Sequence, residues 1–349
     1  MKAISVVPGD PDSVEVRDVA EPRPGADELL VRGRLLGICG TDADIVSGPG
    51  YGWAPPGSDR LVIGHESLGT VLHAPDGSGF APGDLVAGAV RRPDPEPCVP
   101  CAHGEWDFCS NGRYTERGIK ELDGYGAQCW TVETDFAVRL DPALGDCGVL
   151  LEPTSVVAKA WAQADRFTGR TSARPRTALV TGAGPIGLLA ALLGVQRGLD
   201  VTVLDVNDRG PKAELVTDLG ARFHVGSVAD LGLCPDVVIE CTGHGPLVAE
   251  LAAASAPNAV ICLAGISSRP GSATVDLDEV NKEIVLRNTL LFGSVSASPG
   301  DFRRAADALA RADRDWLSRL ITRRVPMEEF ARNVRKDPDD VKVVVDLEA

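Results

Sequence analysis

Val180-Thr181-Gly182-Ala183-Gly184-Pro185-Ile186-Gly187 carries the spacing Gly-x-Gly-x-x-Gly between two apolar runs, Thr177–Thr181 and Pro185–Arg197. The first run reads as a buried strand. The second reads as a buried helix with Pro185 in its first turn, where a missing N–H costs least. In that strand–turn–helix setting each glycine has its own task. Gly182 permits the tight turn, Gly184 lets the backbone approach a pyrophosphate, and Gly187 lets helix and strand pack closely. The helix N-terminus then presents free N–H groups to the anion, with Pro185 and Ile186 beside it. Asp205 ends the next strand, Val201–Leu204. A carboxylate there accepts from ribose hydroxyls and repels a 2′-phosphate, which favours NAD. Arg209 points the other way, because a nearby Arg pairs with a 2′-phosphate, so NADP stays open.

The alternation continues downstream. Pro211–Leu219 reads as a helix closed by Gly220, and Asp236–Cys241 and Ala259–Ala264 read as strands around a helix, Pro246–Ser255. Alternating strand and helix predicts an α/β domain with an open, doubly wound parallel sheet. The strands ending at Thr242-Gly243 and Gly265-Ile266 are expected beside the nicotinamide. Upstream, the chain is rich in Gly and Pro, with short β-type runs (Glu28–Arg32, Gly69–His73) between turns such as Pro75-Asp76-Gly77-Ser78. That texture predicts an irregular β-barrel or sandwich. Thr154–Asp165 reads as a helix at the border. Past Phe292 come a helix (Asp301–Asp313), a shorter one (Met327–Asp337) and a last strand (Val341–Asp346), expected to return to the first domain. The expected domains are therefore 1–155 with 293–349, and a dinucleotide-binding insert, 156–292.

Among the 349 residues, 35 Lys+Arg face 50 Asp+Glu, a net charge of −15. Nucleic acid and anionic membranes require clustered basic residues and are disfavoured as partners. No apolar stretch is long enough to span a membrane. Met1–Gly9 reads as a first strand rather than a signal peptide, making the cytoplasm the default location. Nine cysteines, an odd number in a long chain, do not suggest a disulfide framework. Cys98, Cys101 and Cys109 sit together and suggest metal, whereas Cys129, Cys147, Cys234, Cys241 and Cys262 read as core.

Gly37-Ile38-Cys39-Gly40-Thr41-Asp42 and Gly64-His65-Glu66 gain meaning beside a dinucleotide domain. Hydride removal from an alcohol requires loss of the O–H proton, and a zinc ion lowers that pKa by several units. A thiolate, an imidazole and a carboxylate are suitable ligands that leave one position open. Together with the glycine motif, and in this order, the segments resemble the zinc-dependent medium-chain alcohol and polyol dehydrogenases along the whole chain. Val90–Pro93, Glu116–Ile119 with Asp123–Tyr125, Leu151–Pro153, and Val285–Asn288 with Gly293–Val295 are similar to the glucose (aldose) 1-dehydrogenase branch.

The resemblance implies a Rossmann-type domain inserted in a GroES-like catalytic domain, assembled as a homodimer or homotetramer. It implies zinc on Cys39 and His65, with Glu152, or Glu66 in an alternate state, as the carboxylate. Thr41 would meet the substrate hydroxyl and begin a proton relay, and Glu116 would accept from sugar hydroxyls. Three alternatives stay open: Glu116 as an ion pair with Arg117 or Arg113, Glu66 as a support behind the ligands, and Glu152 as a helix cap. Cys98, Cys101 and Cys109 resemble a structural zinc lobe whose first of four cysteines is replaced by Pro95, leaving Asp94 or His103 as the fourth-ligand candidate; the alternative is a metal-free loop. The branch carries Gly-x-Val-Asn at the nicotinamide and substrate region, where this chain has Gly293-Ser294-Val295-Ser296, so Ser296 takes the asparagine's place. The expectation is a zinc-dependent NAD oxidoreductase that takes a hydride from a small sugar or polyol. An aldose would give a lactone. The Ser296 change sets a cyclitol, aminocyclitol or other polyol beside it, and a non-catalytic NAD-binding protein is the alternative of another class.

Overall fold

Thr177–Thr181 is a strand and Pro185–Gln196 the helix that follows it in the computed structural model, which describes residues 1–48, 50–267, 274–335 and 337–348. Gly187 through Gly194 are all buried, as expected of a helix that is apolar on every side. The strand is central in a six-stranded sheet ordered Arg222–Val225, Asp200–Asp205, Thr177–Thr181, Val237–Glu240, Val260–Leu263, Leu290–Gly293. All five pairings are parallel. The chain grows outward on one side of Thr177–Thr181 and then crosses to the other, which makes a topological switch point beside that strand. Leu179, Val238 and Ile261 pack with Leu251 of the helix Gly245–Ala254 to form part of the core.

This sheet belongs to a compact unit, Val156–Val295; the other unit is Met1–Ser155 with Ser296–Ala349. In the second of these, Glu28–Gly37 is the organising strand. It pairs antiparallel with Glu66–His73, with Cys129–Glu133 and with Lys342–Asp346. Two register irregularities against Glu66–His73 bend it, which lets it serve several neighbours. Leu85–Gly88, Ala137–Arg139 and Ile321–Pro326 complete a seven-stranded sheet. The C-terminal strand is thus built into this unit, with Val344 opposite Gly37 and Val343 to Val345 fully buried.

The Met327–Asp337 helix is not continuous. Met327–Glu329 is a 3-10 turn, and Phe330–Asn333 is a single helical turn. Asn333 Nδ2 donates to Glu329 O at 2.8 Å, and Asp337 precedes Pro338, which disfavours helical backbone there. The helix expected from Asp301 runs Pro299–Ala310, capped by Ser298, and a separate helix, Arg314–Leu320, follows. Among the described residues no helix is long and apolar enough to cross a membrane.

Candidate active site

Cys39 precedes the helix Gly40–Ser47, and His65 and Glu66 lie where Glu66–His73 begins. Register sets Glu66 opposite Gly37, two residues before Cys39. A Cβ on Gly37 would collide with Glu66 Oε2, so a larger residue would force the carboxylate out of this position. One ligand atom each from Cys39, His65 and Glu66 lies within 4.8 Å of the others. His65 and Glu66 are buried and Cys39 is partly so. A thiol, an imidazole and a carboxylate converging in a buried place fit a zinc ion.

Asp42, whose role the motif alone did not reveal, has two partners. Its Oδ2 accepts from the Cys39 N–H at 2.8 Å, and its Oδ1 faces His65 Nδ1 at 3.5 Å. Both of those facing atoms are buried without a hydrogen bond. Burial pushes the His65 imidazolium pKa down, but Asp42 and then Cys39 outweigh it and hold the value well above the usual range.

Lys342, also missed in the sequence, is 1% exposed, pairs with Glu66 and donates to Ile38 O at 3.1 Å. Burial lowers its pKa, and Glu66 with Cys39 more than restores it. Glu152 lies in the first turn of the helix Leu151–Thr168, outside the three-residue set. Burial, and then the charge of Glu66, push its carboxyl up to about 7 against the opposing pull of His65 and Lys342. Its electrostatic neighbours are thus the members of this constellation. Thr41 is the second residue of Gly40–Ser47, partly exposed, two positions from Cys39.

Glu116 sits on the short strand Thr115–Arg117, at the start of a segment, residues 115–125, that passes flush against the Gly64 backbone. Cβ atoms on Gly118 or Gly124 would strike Gly64 O, and the Tyr125 N–H donates to that oxygen at 2.9 Å. The glycines therefore bring this segment beside His65. Glu116 does form an ion pair, but with neither Arg117 nor Arg113: Arg91 Nε and Nη2 both donate to its Oε1 at 2.9 Å. Arg91 is itself held by the Tyr114 ring, 3.7 Å from its guanidinium carbon. Oε2 is left to accept from another donor. Ser296 has φ +60, in the left-handed region that disfavours a serine.

Cys98, Cys101 and Cys109 form a second cluster, with 3.9 Å between the sulfurs of Cys98 and Cys109. Hydrogen bonds from Ser110, first among several, lower the Cys98 thiol to about 6, and burial raises Cys101 to about 11. Asp94 does not join them. Its carboxylate accepts from Asn111 Nδ2 at 2.7 Å, Glu96 N at 2.8 Å and Arg113 Nε at 3.3 Å. His103 turns its Nδ1 to Val99 O at 2.8 Å. Among the described residues the three thiols have no fourth protein ligand.

In the other unit, Gly182 has φ +85, and a Cβ on Gly187 would strike Gly182 O. A Cβ on Gly184 would meet nothing, which leaves open space before the helix Pro185–Gln196. Asp205 Oδ2 accepts from Ala183 N at 2.8 Å and Lys212 Nζ at 3.2 Å, tying the strand end to the glycine turn. Lys212 had no sequence signal. Val206, 84% exposed beside Asp205, offers an apolar surface, and Arg209 is exposed. Thr242-Gly243 and Gly265 meet at the sheet's carboxyl end, where a Cβ on Gly265 would strike Gly243 N.

Two family models match the chain: the alcohol dehydrogenase GroES-like domain over residues 25–142 and the glucose dehydrogenase C-terminus over 145–347. The glucose 1-dehydrogenase of Methanocella arvoryzae is 39% identical, with 100% of both chains covered. That of Thermoproteus tenax is 36% identical over the same full extent. The Haloferax mediterranei glucose dehydrogenase, solved in complex with NADP, Zn and gluconolactone, matches with a TM-score of 0.91 at 30% identity, covering 100% of both chains.

Proposed function

The chain belongs to the glucose dehydrogenase family of zinc-dependent medium-chain dehydrogenases, and from that premise we propose that it oxidises the anomeric hydroxyl of an aldose to a lactone with NAD as the preferred acceptor. The observation that carries the reading is the convergence of Cys39, His65 and Glu66 in one unit with Glu116 on the adjoining segment.

Cys39 and His65 hold zinc there, with Glu66 or Glu152 as the carboxylate. When bound, zinc supplies Lewis acidity toward the hydroxyl being oxidised. Asp42 fixes the His65 ring from behind, as carboxylates do for metal-bound histidines. Lys342 balances the charge of Glu66. Thr41 takes the hydroxyl proton and starts it toward solvent. Glu116, anchored by Arg91, accepts from the sugar's other hydroxyls through Oε2. The open space at Gly184 takes the pyrophosphate and Asp205 the ribose, and the hydride leaves on the nicotinamide. Aldose and NAD thereby become lactone, NADH and a proton.

Cys98, Cys101 and Cys109 hold a second zinc, with its fourth ligand from outside Asp94 and His103. Exposed Val285 and Leu286 on the helix Leu277–Arg287, beside the edge strand Leu290–Gly293, support assembly as a homodimer or homotetramer. Free cysteines throughout fit the reducing cytoplasm.

The test is reduction of NAD and NADP, at matched concentrations, over aldoses, cyclitols, other polyols and simple alcohols. Aldose turnover with NAD favoured is the expected result. Turnover confined to cyclitols or polyols would select the second reading, which the serine at 296 in place of the branch's asparagine favours. Turnover favouring NADP would overturn the role given to Asp205.

A further inference from the structure

Glu240 ends the strand Val237–Glu240 and is 1% exposed. Its carboxylate accepts from Thr242 N at 2.6 Å, from Gly243 N at 3.1 and 3.2 Å, from Thr181 Oγ1 at 3.2 Å, and from Thr242 Oγ1. Each of these donors is neutral, so the hydrogen bonds solvate the group without themselves supplying a counter-ion. Lys159, whose field reaches Cys262 as Glu240's does, donates to Val295 O at 2.9 Å. Burying a carboxylate in this way is costly, and two threonines and a turn are arranged around it.

Its location gives the arrangement a use. Glu240 is the register partner of Thr181, at the carboxyl ends of the two strands between which the sheet order reverses. A dinucleotide with its pyrophosphate at Gly184 and one ribose at Asp205 must run its other half across the opposite strands, Val237–Glu240 and Val260–Leu263. Their ends carry Thr242-Gly243 and Gly265. Gly243 has φ +67, and Cβ atoms on Gly243 or Gly265 would strike Ile266 O or Gly243 N. Gly243 and Gly265 therefore bring the two turns together backbone to backbone, and the amides of Thr242 and Gly243 are held by the Glu240 carboxylate. The nicotinamide ring carries a positive charge when oxidised and none when reduced.

We propose that Glu240 is a positioning residue that fixes the Thr242-Gly243 turn beneath the nicotinamide and whose charge favours the oxidised ring over the reduced one. The inference rests on the dehydrogenase reading above. A carboxylate that merely capped a turn would support both redox states equally. One whose field reaches the ring separates them, because only NAD presents a cation to it.

The test is equilibrium binding to the intact, zinc-loaded protein without sugar: NADH by its fluorescence and NAD by competition. Glu240→Gln keeps the shape and the acceptor oxygen but removes the charge. It should weaken NAD relative to NADH by about 3–10-fold, as loss of one poorly screened charge implies. Glu240→Asp keeps the charge and should leave the ratio near the wild-type value even if both affinities fall. If Glu240→Gln does not fold, Glu240→Ser carries the same expectation. Equal loss of both nucleotides, or no change in either, overturns the proposal while leaving the dehydrogenase reading intact. Failure of the wild-type protein to bind either nucleotide removes that reading, and this one with it.

Discussion

Replacing Lys342 by methionine isolates the charge pair behind the metal ligands. Lys342 and Glu66 are each 1% exposed, and methionine retains most of the packed volume. The loss is then electrostatic: Glu66 keeps its buried charge without a counter-ion, and Ile38 O loses a donor. Removing one partner of a buried pair costs ~3–5 kcal/mol. For a unit of this size each kcal/mol lowers the melting temperature by ~2–4 °C, so Lys342→Met should melt about 6–20 °C lower. The assay is thermal unfolding of chelator-treated protein followed by circular dichroism. The pH dependence has a defined sign. The folded pKa of Lys342 is raised above 10.5, so the pair's contribution is complete below that pH and is lost only as pH climbs through the higher folded value. The gap between wild type and variant should therefore be constant through neutral pH. The double variant Lys342→Met/Glu66→Gln should regain most of the loss, because the orphaned charge is gone. A decrease under ~2 °C, or a double variant as unstable as the single one, would refute the reasoning.

Two further outcomes follow from the same geometry. Stripped of metal, the protein should lose stability as pH rises from about 5 to 8. The folded pKa values of Glu152, at about 7, and of His65 are both raised, so their protons favour the fold at low pH and that contribution is lost as pH passes through those values. Zinc-loaded protein should lack this slope, since the metal displaces those protons, and parallel melting curves with and without chelator would count against a metal at this place. Glu116→Gln should lower kcat/KM for the aldose by about 10–100-fold, the worth of charge-assisted hydrogen bonds, with NAD affinity unchanged. Equal kinetics in the variant would remove Glu116 from the sugar site.

The sequence disclosed those parts of the molecule whose physics is local. Gly182, Gly184 and Gly187 could be read because a tight turn, an open approach and a close packing contact each demand glycine within eight positions. Cys39 and His65 could be read because few uses need that pair beside a dinucleotide fold. Lys342 could not: it reaches Glu66 only through the register that lays Val344 and Glu66 on either side of Gly37. Asp42 was visible as a residue, yet its role lies in the His65 nitrogen it faces. Asp94 stands one residue before the place where the lobe's first cysteine is expected, and the sequence could not show that Asn111, Glu96 and Arg113 share its carboxylate. The strands Arg222–Val225 and Leu290–Gly293 left no pattern because each is a short sheet edge with, among the described residues, one neighbour to satisfy.

Zinc content measured together with the initial rate of NADH formation from an aldose tests the catalytic assignment most directly, on native, chelator-treated and zinc-reconstituted protein. Activity that disappears with the metal, returns with it, and is absent from a folded Cys39→Ser variant is the expected result. Undiminished aldose oxidation by protein shown to be free of zinc would contradict the role given to Cys39, His65 and their carboxylate partner.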